Sequence, residues 1–447
     1  MNRRSVFLSL LLILCAGFVL RVHALQLNWF MHADVIGDSY VTASLYRDGR
    51  FIMHPRPESA DPADYTLPPA SDGELLKLHG PFVPTAGAAV MAFMSGGGEF
   101  QNAYLALRIV SLLAGMLVIL FSFFVTTRLV GHGAGLAVAA WIAASFFLID
   151  YSGNGSLYIS QSALYLAWLL VSLNRPFPLR GFYTGSGRVL LLALLSGIGY
   201  LVNYQCMILT PATLVILAVQ ERSWRRFFGH AAVFLAAVVL IIFPWLVRNT
   251  LAFGDPFYGH AYNMAYVYGK AGVSFSPETL KVSFYDWLGI LHAVFTLWLP
   301  NNLYYAARKL FILAPIAFFL FSYGLIDIVF SRKRFMQALP VLLLLTLQML
   351  MYAGWPIWKF RFFAPVLPIV FILAAEELWH LRVSPAMRNA LAGVTLAAII
   401  VMSVLAYRAI PTHTTYYDGA LTQDPFHSSE ELTYLRKFHL IPSDDAP

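Results

Sequence analysis

Two aspartates stand four residues apart in the stretch His32-Ala33-Asp34-Val35-Ile36-Gly37-Asp38-Ser39-Tyr40. From Val35 to Tyr46 the apolar positions recur at helical spacing, so a helix there sets both carboxylates on one face. A carboxylate held beside hydrocarbon has a reason for a raised pKa, which suits a general base; the same spacing also describes a helix cap and a solvated surface charge. Farther along comes His79-Gly80-Pro81-Phe82-Val83-Pro84, whose prolines fix the direction of the chain. His79 suits contact with a phosphate or an acceptor hydroxyl, and equally a hydrogen bond to backbone. A third string, Pro244-Trp245-Leu246-Val247-Arg248-Asn249, is followed by a Gly254-Asp255-Pro256 turn signal. Arg248 alone reads as a cation snorkelling beside a boundary tryptophan. The fourth string holds Lys359 and Arg361 among aromatic residues and closes with Pro365 and Pro368. Two cations at a lipid headgroup level suit a phosphate or pyrophosphate through charge-assisted hydrogen bonds, or serve as an anchor pair. The sequence has no Gly-rich phosphate loop, no His-Glu-x-x-His, no Gly-x-Ser-x-Gly and no Cys-x-x-Cys.

The elements that position these residues must lie in a membrane. Hydrophobic residues make up 59% of the 447 and charged residues only 12%, against roughly 25% charged in soluble chains. The formal charge of +7 does not indicate nucleic-acid binding, because the basic residues sit in short loops between apolar runs. Cys15 and Cys206 each lie inside an apolar run, which argues against a disulfide framework or a metal site. Reading for apolar runs of about 20 residues gives about eleven spans, at 5–26, 103–129, 133–150, 157–174, 187–203, 205–220, 229–249, 308–330, 336–354, 361–380 and 388–408. The first is expected to be an uncleaved helix rather than a signal peptide, since apolar character resumes past Arg21. The run at 187–220 is divided at Asn203-Tyr204-Gln205, so that the arginine clusters on either side share one face of the membrane.

With the N-terminus cytoplasmic, Arg3, Arg4, Arg128, Arg175, Arg180, Arg188, Arg222, Arg225, Arg226, Arg332, Lys333, Arg334, Arg382 and Arg388 all fall inside, and the C-terminus falls outside. Segments 27–102, 250–307 and 409–447 are then external and carry nearly all the carboxylates. Amphipathic helices are expected in the first external loop and near 285–300 in the fourth. Apart from Asp327, the spans are expected to hold no buried charge of the kind that marks an ion pathway.

Taken in order, these strings resemble the GT-C superfamily of membrane glycosyltransferases. The nearest resemblance is to the dolichyl-phosphate-mannose protein mannosyltransferase-like group and the aminoarabinose transferase of lipid A. It rests on Asp38, Tyr40, Ala43 and Gly49-Arg50, on Gly80 to Pro84, on Arg108, on 244–249 with 253–257, and on Arg361 to Pro368, and it spans residues 1 to about 380. The resemblance implies an all-α polytopic domain over 1–408 with a short external tail, and an inverting transferase of the cell inner membrane. A polyprenyl-phosphate sugar would be the donor, and a lipid, glycan or protein hydroxyl the acceptor. It further implies Asp38 or Asp34 as base, and Arg361, Lys359, Arg248, His79 and Tyr40 as residues contacting substrate or lipid phosphate. It implies the donor and no certain cofactor; a divalent metal stays an open alternative without support, because Gln161 stands where several relatives carry a second acid and Asp150 is the candidate substitute. The short tail disfavours transfer of whole glycans to protein. A flippase or a non-catalytic scaffold for glycan assembly shares the helix count and the cationic interface.

Overall fold

The computed structural model describes residues 2–27, 33–54, 65–77, 79–173, 185–221, 223–260, 262, 299–353 and 360–409. In chain order the helices are α1 (Arg3–Leu27), α2 (Ala33–Asp48), α3 (Phe82–Met91), α4 (Glu99–Leu129), α5 (His132–Ala144), α6 (Phe146–Gly153), α7 (Leu157–Ser172), α8 (Ser186–Val202), α9 (Leu209–Gln220), α10 (Trp224–Phe253), α11 (Leu299–Leu313), α12 (Pro315–Phe330), α13 (Arg332–Ala353), α14 (Leu367–His380) and α15 (Pro385–Ala409). A two-stranded antiparallel ribbon pairs Ile52 with Leu75 and Met53 with Glu74. The expected amphipathic helix at 285–300 and the tail after 409 lie outside the described residues, apart from the first two residues of α11.

Among the described residues, α1, α4, α10, α13 and α15 are long and apolar enough to cross a bilayer. α5 and α6, which meet at a 62° bend, make a sixth when the bent pair is taken as one span. The protein is thus an integral membrane protein, and among the described residues five helices, or six with the bent pair, have the length of a full span, against the eleven expected. α7, α8, α9 and α12 are apolar yet shorter than 18 residues. The run expected as one span over 308–330 is broken at Ala314, because Pro315 has no N–H to continue a ladder and instead opens α12. The run at 361–380 divides likewise into a 3₁₀ turn, Phe360–Phe363, and α14, with Pro368 in the first turn of α14. The division inside 187–220 falls at Asn203, whose side chain accepts from Gln205 N at 3.1 Å and caps the 3₁₀ turn Tyr204–Ile208.

α4 is the central post, packed by α1, α2, α3, α5, α6, α7 and α14. α14 is sealed on all sides, with every residue from Leu367 to Leu378 buried, as a helix apolar around its whole circumference must be. Phe7, Leu12, Leu240, Leu251 and Phe330 remain exposed on other helices and form the hydrocarbon-facing surface. α2 is buried from Val35 to Ser44 except at Gly37, polar residues included, so it is not the amphipathic surface helix its loop position suggested. Its hydroxyls are satisfied within the helix: Ser39 Oγ donates to Val35 O and Thr42 Oγ1 to Asp38 O, both at 2.7 Å.

The helices also hold charges the sequence reading did not foresee. Arg21 of α1 is fully buried and donates to Ser152 Oγ (3.1 Å), Gly17 O (3.1 Å) and Ile142 O (3.4 Å). Arg334 of α13 donates to Asp327 of α12 and to Glu376 and Glu377 of α14. Both arginines are tolerated because oxygens from neighbouring helices replace their hydration.

Candidate active site

The site forms where α2, the segment before α3, the loop before α7 and the turn before α14 meet. Each is brought there by backbone sterics. Gly155 has φ +89°, a left-handed conformation, and an added Cβ would lie 2.8 Å from Val35 Cγ1. That contact presses the α6–α7 loop onto the start of α2. Gly80 approaches α8 so closely that a Cβ would stand 1.9 Å from Leu201 O. Only glycine allows this approach, and it fixes the preceding His79. Arg108 ties α4 to the same end of the bundle, donating to Gly153 O at 2.6 Å and to Leu25 O.

Four side chains anticipated from the sequence converge here. His79 Nδ1 lies 3.2 Å from Asp38 Oδ1, and Arg361 Nη1 lies 3.4 Å from Asp34 Oδ2. The two carboxylates, one helical turn apart, therefore receive different cations. The Asp38 side chain is 3% exposed, whereas Asp34 is 25% and His79 22% exposed. Burial disfavours the imidazolium of His79, but the Asp38 charge, its hydrogen bond and Asp34 together outweigh burial and the opposing Arg361. His79 accordingly titrates above the ordinary imidazole range. Arg361 also lies over the rings of Tyr158 (5.7 Å) and Phe362 (5.8 Å), a cation–π setting that restrains the guanidinium.

The other anticipated residues sit elsewhere. Tyr40, two residues beyond Asp38, points to the opposite side of α2 and packs against Phe100 (4.8 Å) and His54 (5.6 Å). Arg248 donates to Leu76 O at 2.7 Å and to Asn249 Oδ1 at 2.9 Å, and lies 4.6 Å over Trp245. It is thus tied to Leu76, three residues before His79 in the chain, and its Nη2 is buried without a hydrogen-bond partner among the described residues. Lys359 lies outside the described residues. Gln161 is buried in a neutral network, accepting from Asn203 Nδ2 at 2.9 Å and donating to Tyr165 Oη at 2.8 Å. Its amide is committed to holding α7 against the α8–α9 turn. Asp150 is buried in α6. No group of three or more His, Cys, Asp or Glu side chains suited to a metal ion occurs among the described residues.

Tyr158 and Phe362 belong to the site and were not singled out in the sequence. Phe362 stacks on Tyr352 at 4.6 Å, and Tyr352 Oη donates to Gln205 Oε1 at 3.0 Å. This chain of contacts joins the site to the neutral network behind it. The only local signal was the Asn154-Gly155-Ser156 turn that delivers Tyr158 to the first turn of α7, where Ser156 Oγ accepts from Tyr158 N.

No family model matches the chain, and no curated protein matches it in sequence. Solved structures match it in fold. The oligosaccharyltransferase of Archaeoglobus fulgidus in the apo form superposes with a TM-score of 0.59 at 15% identity, covering 100% of this chain and 61% of that one. ArnT from Cupriavidus metallidurans bound to undecaprenyl phosphate gives 0.57 at 14% identity, covering 98% of this chain and 76% of that one. Its apo state gives 0.55 at 15%, with 96% and 74% covered. This chain thus spans about 61% of the length of the archaeal enzyme. The shared architecture extends over nearly all of this chain, and its fold is the one seen in these solved transferase structures.

Proposed function

We propose that the protein transfers a sugar from a polyprenyl-phosphate donor to an acceptor hydroxyl, with inversion, at the external face of the cell membrane. The observation that carries this reading is the pairing of Asp38 with His79 and of Asp34 with Arg361 in one cluster. General-base catalysis centred on Asp38 removes the acceptor proton as that oxygen attacks the anomeric carbon. The departing lipid phosphate gains charge, which Arg361 stabilises electrostatically. Arg248, whose Nη2 has no hydrogen-bond partner among the described residues, is tied to Leu76 near His79 in the chain and suits the same phosphate before or after transfer. Lys359 is assigned to phosphate contact by its position two residues before Arg361.

The neighbours lend support in kind. One ArnT structure holds undecaprenyl phosphate, and the archaeal oligosaccharyltransferase AglB has been solved with an inhibitory peptide and a dolichol-phosphate. External placement is supported by the opposite end of the bundle, where Arg128, Arg188 and Arg334 gather, as the cytoplasmic bias of basic residues requires. In this orientation the N-terminus is cytoplasmic and α15 leads outward. The test is sugar release by purified protein given a panel of polyprenyl-phosphate sugars, wild type against Asp38→Asn. Turnover that falls to a small residue in the variant is expected; saturable lipid binding without turnover of any donor would instead indicate a flippase or scaffold.

A further inference from the structure

We infer that the atom receiving the acceptor proton is His79 Nε2, with Asp38 acting behind it as the positioning carboxylate. This deepens the transferase reading and rests on it. The geometry is directional. Asp38 is the buried member of the pair and His79 the accessible one. An ionised carboxylate only accepts hydrogen bonds, so the ring nitrogen facing Asp38 Oδ1, Nδ1, carries a proton. In neutral His79 the lone pair is therefore on Nε2, which has no hydrogen-bond partner among the described residues and belongs to a partly exposed ring. The ring bridges a sealed carboxylate to open space, held at that angle by the contact of Gly80 with the Leu201 backbone.

The charged and titratable groups around it are consistent with this use. α2 contributes Asp38 and Asp34, the turn before α14 contributes Arg361, and α7 contributes Tyr158 beside Arg361; α8 meets the segment through backbone at Leu201. In the step, the acceptor oxygen bonds to the anomeric carbon while its proton passes to Nε2. The bond from the anomeric carbon to the phosphate oxygen breaks, and its electron pair leaves on the lipid phosphate. The imidazolium so formed is stabilised by Asp38 and later returns its proton to water. Because His79 titrates above the ordinary imidazole range, the neutral base becomes more abundant as pH rises through that raised value.

The test combines variants with a titration that needs no turnover. In His79→Asn the side-chain amide can replace Nδ1–H toward Asp38 but offers no proton acceptor in place of Nε2. Turnover is expected to fall at least about 100-fold, with donor KM within about threefold and the rising limb of the pH–rate profile lost. Asp38→Asn should move that limb toward the unperturbed imidazole value of about 6.5 in its residual activity. Independently, carbethoxylation of His79 by diethylpyrocarbonate, read by peptide mass spectrometry, should proceed in wild type with a midpoint above about 6.5 and a lower one in Asp38→Asn. His79→Asn within tenfold of wild type with its rising limb intact would overturn the dyad and leave the transferase standing. A His79 that stays unmodified at every pH would overturn the accessible Nε2. A wild type that releases sugar from no polyprenyl-phosphate donor, though His79 titrates as stated, would overturn the transferase reading and the catalytic use of the dyad together.

Discussion

Substituting Gly80 with alanine tests whether sterics at one backbone contact set the catalytic geometry. The new Cβ would stand 1.9 Å from Leu201 O, 2.4 Å from Leu201 C and 3.0 Å from Leu201 Cα. All three are backbone atoms at the end of α8, so no side-chain rotation relieves the overlap. Reaching even 3.0 Å from the oxygen requires a retreat of about 1 Å, the scale on which misplacement of a catalytic group costs about 100-fold in rate. Overpacking of this kind also costs about 1–3 kcal/mol of stability. The His79–Asp38 contact, already 3.2 Å, would no longer be a hydrogen bond after such a shift. The expected outcome for Gly80→Ala is a fall in kcat on the order of 100-fold, with a modest drop in melting temperature measured in detergent. Gly229→Ala is the control, because a Cβ there meets nothing within 4 Å; it should keep full activity. A Gly80→Ala protein with wild-type kcat would refute the claim that this contact fixes His79.

Arg361→Gln should lower kcat by about 10²–10³-fold if the guanidinium stabilises the leaving phosphate, and Arg361→Lys should recover only part, since an ammonium lacks the planar fork; steady-state sugar release measures both. Arg334→Met leaves the buried Glu376 and Glu377 without their cation and should destabilise the protein by about 3–5 kcal/mol, seen as a lowered unfolding midpoint. Burial holds His260 down to about 4, among the rings of Tyr200 and Tyr204. Its neutral form is favoured by folding, so its contribution is complete above about 6.5 and is lost as pH falls from there toward about 4. Melting temperature should fall over that window in wild type and fall less in His260→Phe.

The long spans were legible because hydropathy over about 20 residues is a one-dimensional quantity; α1, α4, α10, α13 and α15 follow from it. Breaks were less legible. Pro315 signalled a helix start, but the apolar run on both sides masked it, and α3 was read only as a proline-fixed return. The i,i+4 relation of Asp34 and Asp38 was local and therefore readable, while the partner of each was not. His79 and Arg361 lie 41 and 327 residues from Asp38 and Asp34, and nothing local chooses between phosphate and carboxylate as their partner. Tyr40 was placed by resemblance, and helical geometry sends it to the other side. Arg21 inside an apolar run looked like an interruption, because the carbonyls and hydroxyl that receive it come from three separate helices.

The sealed position of α14 has a consequence for how the chain is made. A helix that touches no lipid is freed from the bilayer's selection against charge, which is why its end can carry two adjacent glutamates. Arg334 precedes them by 42 and 43 residues, so during synthesis the cation is already in the membrane when the acids arrive. Once inserted, this helix fills a slot formed by α4, α5 and α12. Without it the slot would face hydrocarbon, and a ribosome stalled between α13 and α14 would leave a half-built bundle for quality control to find.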